Sequence, residues 1–214
     1  MTILFLMLIV SFVLQQGAGM ATASPSGLPI VVLETELGNI VIQVDTEHAP
    51  VTAANFLRYV DGGFYNGGDF HRAVRPDNEI RQDAPIQIIQ ARINLARVNE
   101  AFPPIPIETT DVTGLKHLDG TVSMARDVTP TKPGPNTATY QFFVCIGDQP
   151  SLDREGNRSP DHMGFAAFGR VIDGMNVVRR IQTSPTPKDT PGSKFVAQGQ
   201  SLVPTIKIGR AYRK

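Results

Sequence analysis

Gln141-Phe142-Phe143-Val144-Cys145-Ile146 is the run whose reading decides the fold. Six residues dominated by aromatic and β-branched side chains form a strand far better than a helix. Two other short segments, far away in the chain, belong with it. One is Phe70-His71-Arg72; the other is Phe168-Gly169-Arg170-Val171, running into Asp173-Gly174-Met175. Each says little alone. Their order and spacing carry the information, and the residue types (an arginine, a glutamine, a phenylalanine) form a set able to hold a backbone without attacking it.

Working outward, Ile30–Thr35 and Ile40–Val44 are β-branched runs separated by Gly38-Asn39, which predicts a first hairpin. Ala49-Pro50 opens a helix, with Pro favoured at its first position. Val51, Ala54, Phe56, Leu57 and Val60 make its expected apolar face, and Gly62 stops it. Further strands are expected at Phe70–Val74, Pro85–Ile93, Gly120–Ala125, Gln141–Ile146, Phe165–Val171 and Thr205–Gly209. A second helix is expected over Met175–Ile181, where Met175, Val178 and Ile181 recur every third residue. Thr183–Gly199 is polar and breaker-rich and reads as a long surface loop. Many short strands, two helices and abundant Gly and Pro predict a mainly β domain: a closed antiparallel eight-stranded barrel capped by two helices.

At 214 residues the chain suits one ordinary domain with a real core. Lys plus Arg total 20 and Asp plus Glu total 20, which argues against nucleic acid as the main partner. Cys145 is the only cysteine, so no internal disulfide forms, and its apolar run makes it a buried hydrophobe. His48, His71, His117 and His162 are scattered, with no metal-ligand spacing. Asn157-Arg158-Ser159 matches a glycosylation sequon, a match that chance suffices to explain. At the start, Ile3–Leu14 is almost continuously apolar and no charge precedes Glu34. A run of about a dozen residues is short for a membrane span. Ala21-Thr22-Ala23 then supplies the small-x-small pattern of a cleavage site before Ser24. Residues 1–23 therefore read as a signal peptide lacking the usual basic start, with export to the periplasm and no stable membrane span after cleavage; a cytoplasmic or membrane-tethered chain is the alternative.

These segments together resemble the cyclophilin family of peptidyl-prolyl cis-trans isomerases, over about Ile30–Ile208, with the isomerase domain expected over 28–212. The resemblance implies rotation of X–Pro bonds in client proteins during folding. Proline-containing segments would be the partners, no cofactor or metal would be needed, and nothing specifies an oligomeric state. Arg72 matches the family's catalytic arginine, Phe143 the floor of the proline pocket, and Gln141 and Gln90 the glutamines that hold substrate backbone. Ile88, Met124, Ala125 and Leu152 match pocket and groove positions, with Arg126 beside them where the family has asparagine and Phe165 where it has His or Tyr, which keeps an apolar wall and loses a polar contact. The residue types suit the reaction. A planar, permanently charged guanidinium can donate to a proline nitrogen as the amide twists, and an apolar pocket can hold the ring.

Departures from the family pattern are also visible. Arg75–Pro85 is a longer polar insertion, the pocket phenylalanine expected before Ile88 falls on Gln87, and Ala91-Arg92 replaces two glycines. Ser151 stands where some members carry an aromatic, and Tyr140 replaces a small residue before Gln141. An alternative reading is a non-catalytic cyclophilin-like module that grips proline-containing segments; a third is a barrel that stabilises an assembly, with Arg72 in a structural ion pair.

Overall fold

Thr35 and Gly38 face each other across the first turn, and the Thr35 hydroxyl donates to the Gly38 carbonyl at 2.6 Å. The turn is therefore Glu36-Leu37, and Gly38-Asn39 belongs to the second strand rather than to the connection. This hairpin opens the computed structural model of the protein, which describes residues 27–128, 134–192 and 196–214. The segment read as a signal peptide lies outside the described residues.

Eight strands follow in chain order: β1 Ile30–Thr35, β2 Gly38–Val44, β3 Asp69–Val74, β4 Ile88–Arg92, β5 Thr121–Met124, β6 Phe142–Cys145, β7 Ala166–Asp173 and β8 Ser201–Arg213. They close into one antiparallel barrel in the order β1-β2-β7-β5-β6-β4-β3-β8, which leaves no unpaired edge. Pro50–Asp61 forms α1, packed on β7 and β8, and Met175–Gln182 forms α3, packed on β2, β3 and β4. Gly174 starts α3 at φ +90°, and a Cβ there would lie 2.3 Å from the Asn39 carbonyl oxygen, so only glycine lets this helix dock so close to β2. A one-turn helix, α2 at Thr110–Thr113, was not evident in the sequence because four residues carry no periodicity.

Several expected boundaries move. β4 begins at Ile88, not Pro85, since proline has no N–H for the ladder. β8 extends over Ser201–Arg213 because it pairs with both β1 and β3. The apolar face of α1 is Ala53, Phe56, Leu57 and Val60, with Thr52, Asn55 and Tyr59 buried as well; Val51 is 40% exposed and Ala54 faces solvent. The 183–199 stretch is only partly a surface loop: Thr186 and Val196 are buried.

Strand alternation divides the apolar residues into two sets. Phe142 and Val144 of β6, Ile89 and Ala91 of β4, Val122 and Met124 of β5, and Phe70 of β3 fill the barrel with Phe56. Phe142 sits at the centre, edge-on to Phe56 at 5.4 Å, Tyr65 at 5.4 Å and Phe70 at 6.1 Å. Phe143, Cys145, Ile88 and Val74 point outward into a second, smaller cluster. In β3 the pairing register slips between Phe70 and Arg72 against both neighbours, which makes His71 an extra bulged residue. The bulge flips the alternation: Phe70 and Ala73 point in, whereas Arg72 and Val74 point out.

Replacing the central ring should show where the stability resides. Phe142→Ala is expected to cost about 3–5 kcal/mol of unfolding free energy in urea titrations, whereas Val51→Ala should stay within about 0.5 kcal/mol. A loss at Val51 equal to that at Phe142 would overturn the assignment of the α1 face.

Candidate active site

The outward-facing side chains of β3, β4 and β6 line an external cavity of about 420 Å³. Its floor is apolar: Ile86, Ile88, Phe143, Leu152 and Phe165 pack together, with Phe143 edge-on to Phe165 at 5.6 Å. Arg72, Gln90, Gln141, Ala125 and Arg126 complete the part named from sequence.

One wall of this cavity is a continuous polar chain. Gln200, fully buried, accepts through Oε1 from Arg72 Nε at 3.0 Å and Arg72 Nη2 at 2.7 Å. Arg72 Nη1 donates to Gln90 Oε1 at 3.1 Å, and Gln90 Nε2 donates to Gln141 Oε1 at 2.9 Å. Both polar ends of Gln90 are thus engaged. Among the described residues no hydrogen bond uses the Gln141 amide nitrogen, where the chain ends. Burial pushes the Arg72 pKa down to about 10, with the charge of Arg158 adding to the effect; the guanidinium stays protonated at neutral pH.

The floor is braced from behind. The His117 ring stacks on Phe143 at 6.0 Å and 16°. Its Nδ1 lies 2.7 Å from Asp153 Oδ1 and its Nε2 2.9 Å from Ser123 Oγ. Burial raises the Asp153 pKa, but the hydrogen bonds and charge of His117 with the charge of Lys116 together outweigh it, and the carboxyl stays below its ordinary range. A serine, a histidine and an aspartate in a row suggest nucleophilic catalysis. Ser123 is fully buried and His117 only 1% exposed, so no substrate reaches them; they hold Phe143 in place.

Several residues sit differently from expectation. Met124 does not line the cavity: it faces Phe142 across β5 and β6 and is 1% exposed inside the barrel, because its neighbour Ala125 takes the outward position. Gln87 is not in the pocket either; Ile86 and Ile88 on either side of it face the cavity and supply the apolar wall. Arg126 is bound by Asp161 through two nitrogens at 2.9 Å and 2.6 Å, donates to the Gly164 carbonyl, and lies over Phe165 at 5.4 Å. The Arg75–Pro85 insertion is bolted down: Arg75 donates to the Gln182 carbonyl at 2.8 Å and to Thr186 Oγ1 at 2.8 Å. Gln200 and His117 were missed from sequence, since neither lies in a motif and both act across long chain separations. Among the described residues, no group of three or more His, Cys, Asp or Glu is placed to hold a metal, and no helix is long and apolar enough to cross a membrane. Cys145 is buried, which pushes its thiol pKa up.

Known proteins resemble this chain in sequence and in fold. The family described as cyclophilin type peptidyl-prolyl cis-trans isomerase matches residues 30–203. A peptidyl-prolyl cis-trans isomerase of Acinetobacter baylyi is 36% identical over 157 residues, 73% of this chain and 73% of its own. Peptidyl-prolyl cis-trans isomerase A of Dickeya dadantii is 33% identical over 178 residues, 81% of this chain and 84% of its own. A crystal structure of a cyclophilin type isomerase from Cryptosporidium parvum superposes with a TM-score of 0.63 at 20% identity, covering 87% of this chain and 98% of the other.

The bulged residue beside Arg72 generates a pH prediction. His71 is buried with Nδ1 lacking any partner among the described residues, and burial, aided by the charge of Arg92, pushes its pKa from 6.5 to about 3. Its folded pKa is lowered, so between pH 6.5 and about 3 the unfolded chain binds the proton and the folded one does not. Stability therefore falls as pH falls through that window, by at most about 1.4 kcal/mol per unit from this group. His71→Phe should lessen the acid-side slope of unfolding free energy against pH; an unchanged slope would mean His71 is protonated in the fold.

Proposed function

Because this chain belongs to the cyclophilin-type peptidyl-prolyl cis-trans isomerase family, we propose that it turns X–Pro bonds with Arg72 as the donor to the twisting amide. The observation that carries this is Arg72 itself. It is held by Gln200 and Gln90 at the rim of an apolar cavity, and the Ser123–His117 pair is sealed behind the floor.

The barrier to be lowered is roughly 20 kcal/mol, arising from resonance between the proline nitrogen and the preceding carbonyl. When the bond twists, resonance is lost and the nitrogen lone pair localises. A donor fixed near that nitrogen stabilises the twisted form more than either planar one, and only such differential binding speeds the step. Arg72 fits: its donors are planar and charged, and its nitrogens are already anchored, so little reorganisation accompanies the twist. The ring rests on Phe143 among Ile88, Leu152 and Phe165. The Gln141 amide holds a substrate carbonyl so that one side of the bond stays fixed while the other turns. The clients are proline-containing segments of folding proteins. The apolar start and the Ala21-Thr22-Ala23 pattern support export, with a mature chain beginning near Ser24.

The test is exchange NMR on a short X–Pro peptide, with circular dichroism melts alongside. Arg72→Ala should lower kcat/KM by at least about tenfold, a loss of roughly 1.4 kcal/mol of transition-state stabilisation, and leave the protein folded. Arg72→Lys should recover little of it, since an ammonium lacks the planar fork. Gln200→Ala, which touches no substrate, should lower kcat on the order of threefold to tenfold by freeing the guanidinium. Full activity in Arg72→Ala would place the donor elsewhere, and folded wild type without any acceleration would leave a binding module. Export has its own check: N-terminal sequencing and fractionation of protein from the native host should find Ser24 outside the cytoplasm, and intact Met1 in the cytosol would reject it.

A further inference from the structure

Four arginines line the cavity, Arg72, Arg81, Arg126 and Arg158, against one carboxylate, Asp127. Two of the four are committed. Arg126 spends both terminal nitrogens on Asp161 and its Nε on Gly164. Arg81 holds Asp83 through Nε at 2.8 Å and Nη2 at 2.6 Å, and its Nη1 donates to the Arg158 carbonyl.

Arg158 differs. Its Nη1 donates to Glu79 Oε2 at 3.0 Å and to the Ala84 carbonyl at 2.9 Å. Among the described residues no hydrogen bond uses its Nε or Nη2, neither is a buried orphan, and Arg158 lines the cavity. These two atoms form one edge of the guanidinium, the edge that matches a carboxylate with two parallel hydrogen bonds. The mounting is rigid. Glu79 is a buried carboxylate, its side chain 2% exposed, that also accepts from the backbone N–H groups of Arg81 at 2.8 Å and Ile86 at 3.2 Å. Glu79, Arg81 and Ala84 all come from the Arg75–Pro85 insertion, which gives that insertion a purpose at the cavity. Arg72 has glutamines rather than a carboxylate as its partners, and the charge of Arg158 reaches it. Two cations thus share this end of the cavity with one buried anion, a field that a substrate carboxylate would complete.

We infer that the cavity selects proline segments bearing an acidic side chain within a residue or two of the proline, with its carboxylate received by the Nε–Nη2 edge of Arg158. The inference rests on the isomerase reading of the same cavity and names the substrate class it prefers.

The experiment compares kcat/KM across X–Pro peptides carrying Glu, Gln or Lys at the residue before the proline, one after, or two after. A neutral peptide ending in a free acid or an amide separates a chain-terminal carboxylate from a side chain. At one position Glu should exceed Gln by about fivefold at low salt, as expected for a partly exposed charge-assisted pair, and Lys should fall below Gln. The preference should shrink at high salt. Arg158→Lys keeps a cation for Glu79 but loses the fork, and should cut the Glu-to-Gln ratio. Glu79→Gln/Arg158→Gln removes both charges together and should abolish it. The ratio is read within each protein, so a general change in activity does not disturb it. Turnover of neutral peptides with no Glu preference at any position would overturn the inference and leave the isomerase reading standing. Turnover of no peptide at all would overturn both. A preference confined to the free-acid terminus, or one that survives in the double variant, would also overturn it.

Discussion

Gln200 lies fully buried just ahead of β8, and its amide has only one orientation that satisfies both ends. Nε2 donates to the Asn78 carbonyl at 3.0 Å, which turns Oε1 toward Arg72. Flipping the amide would set the NH₂ group against a guanidinium and leave the Asn78 carbonyl without a donor, and each buried polar group left unpaired costs about 1–3 kcal/mol. The direction of the central arginine is therefore set by a backbone carbonyl in a surface loop. That loop must hold still. Asn78 Nδ2 donates to the Ala73 and Gly199 carbonyls, and Arg75 ties the loop to the end of α3 through Gln182. What reads as a polar insertion is a buttress for the cavity wall.

The second dependency is parity. A regular β3 with Phe70 pointing inward would also turn Arg72 inward, into the aromatic core around Phe142. A guanidinium there would lose its water without a partner, at a cost far above what one strand could offset. The bulge at His71 reverses the alternation in one residue, and the bulged side chain is left buried with an unpaired nitrogen. Burial keeps that imidazole neutral, so no further cation crowds Arg72 from within the same strand. The unsatisfied nitrogen is the local cost of aiming the arginine outward.

These two constraints explain what could be read from the sequence. Strands, the long helices and barrel closure are written in local periodicity, so Ile30–Thr35, Pro50–Asp61 and Phe142–Cys145 were legible almost to the residue. Site residues inside short motifs, such as Arg72, Gln141 and Phe143, were picked out by the resemblance of those motifs to a family, and they line one cavity. Side-chain direction was less so. Met124 was assigned to the groove by its place in a motif, yet it is the member of an alternating pair that faces away from it. The α1 face was misjudged at Val51 and Ala54, where apolar character had no packing behind it. Gln200 and His117 left no local trace, because Gln200 meets Arg72 across 128 residues and His117 meets Asp153 across 36.

Ser123, His117 and Asp153 form the constellation that in an open cleft would make a nucleophile, yet here it supports a phenyl ring. Access separates the two outcomes. Phe143 covers the histidine, so the serine proton has no route to a substrate atom and the row contributes only position. Arg72 has the opposite situation: every nitrogen is anchored, yet the group still borders the cavity. A guanidinium offers hydrogen bonds and charge but no electron pair and no exchangeable role as a base at neutral pH. A wall built from such a group and its glutamines, over an apolar floor, suits a reaction that asks for held hydrogen bonds and charge. Of the groups in and behind this cavity, Arg72 and the glutamines donate and hold, Asp127 stands on the lining, and the serine–histidine row is sealed beneath Phe143.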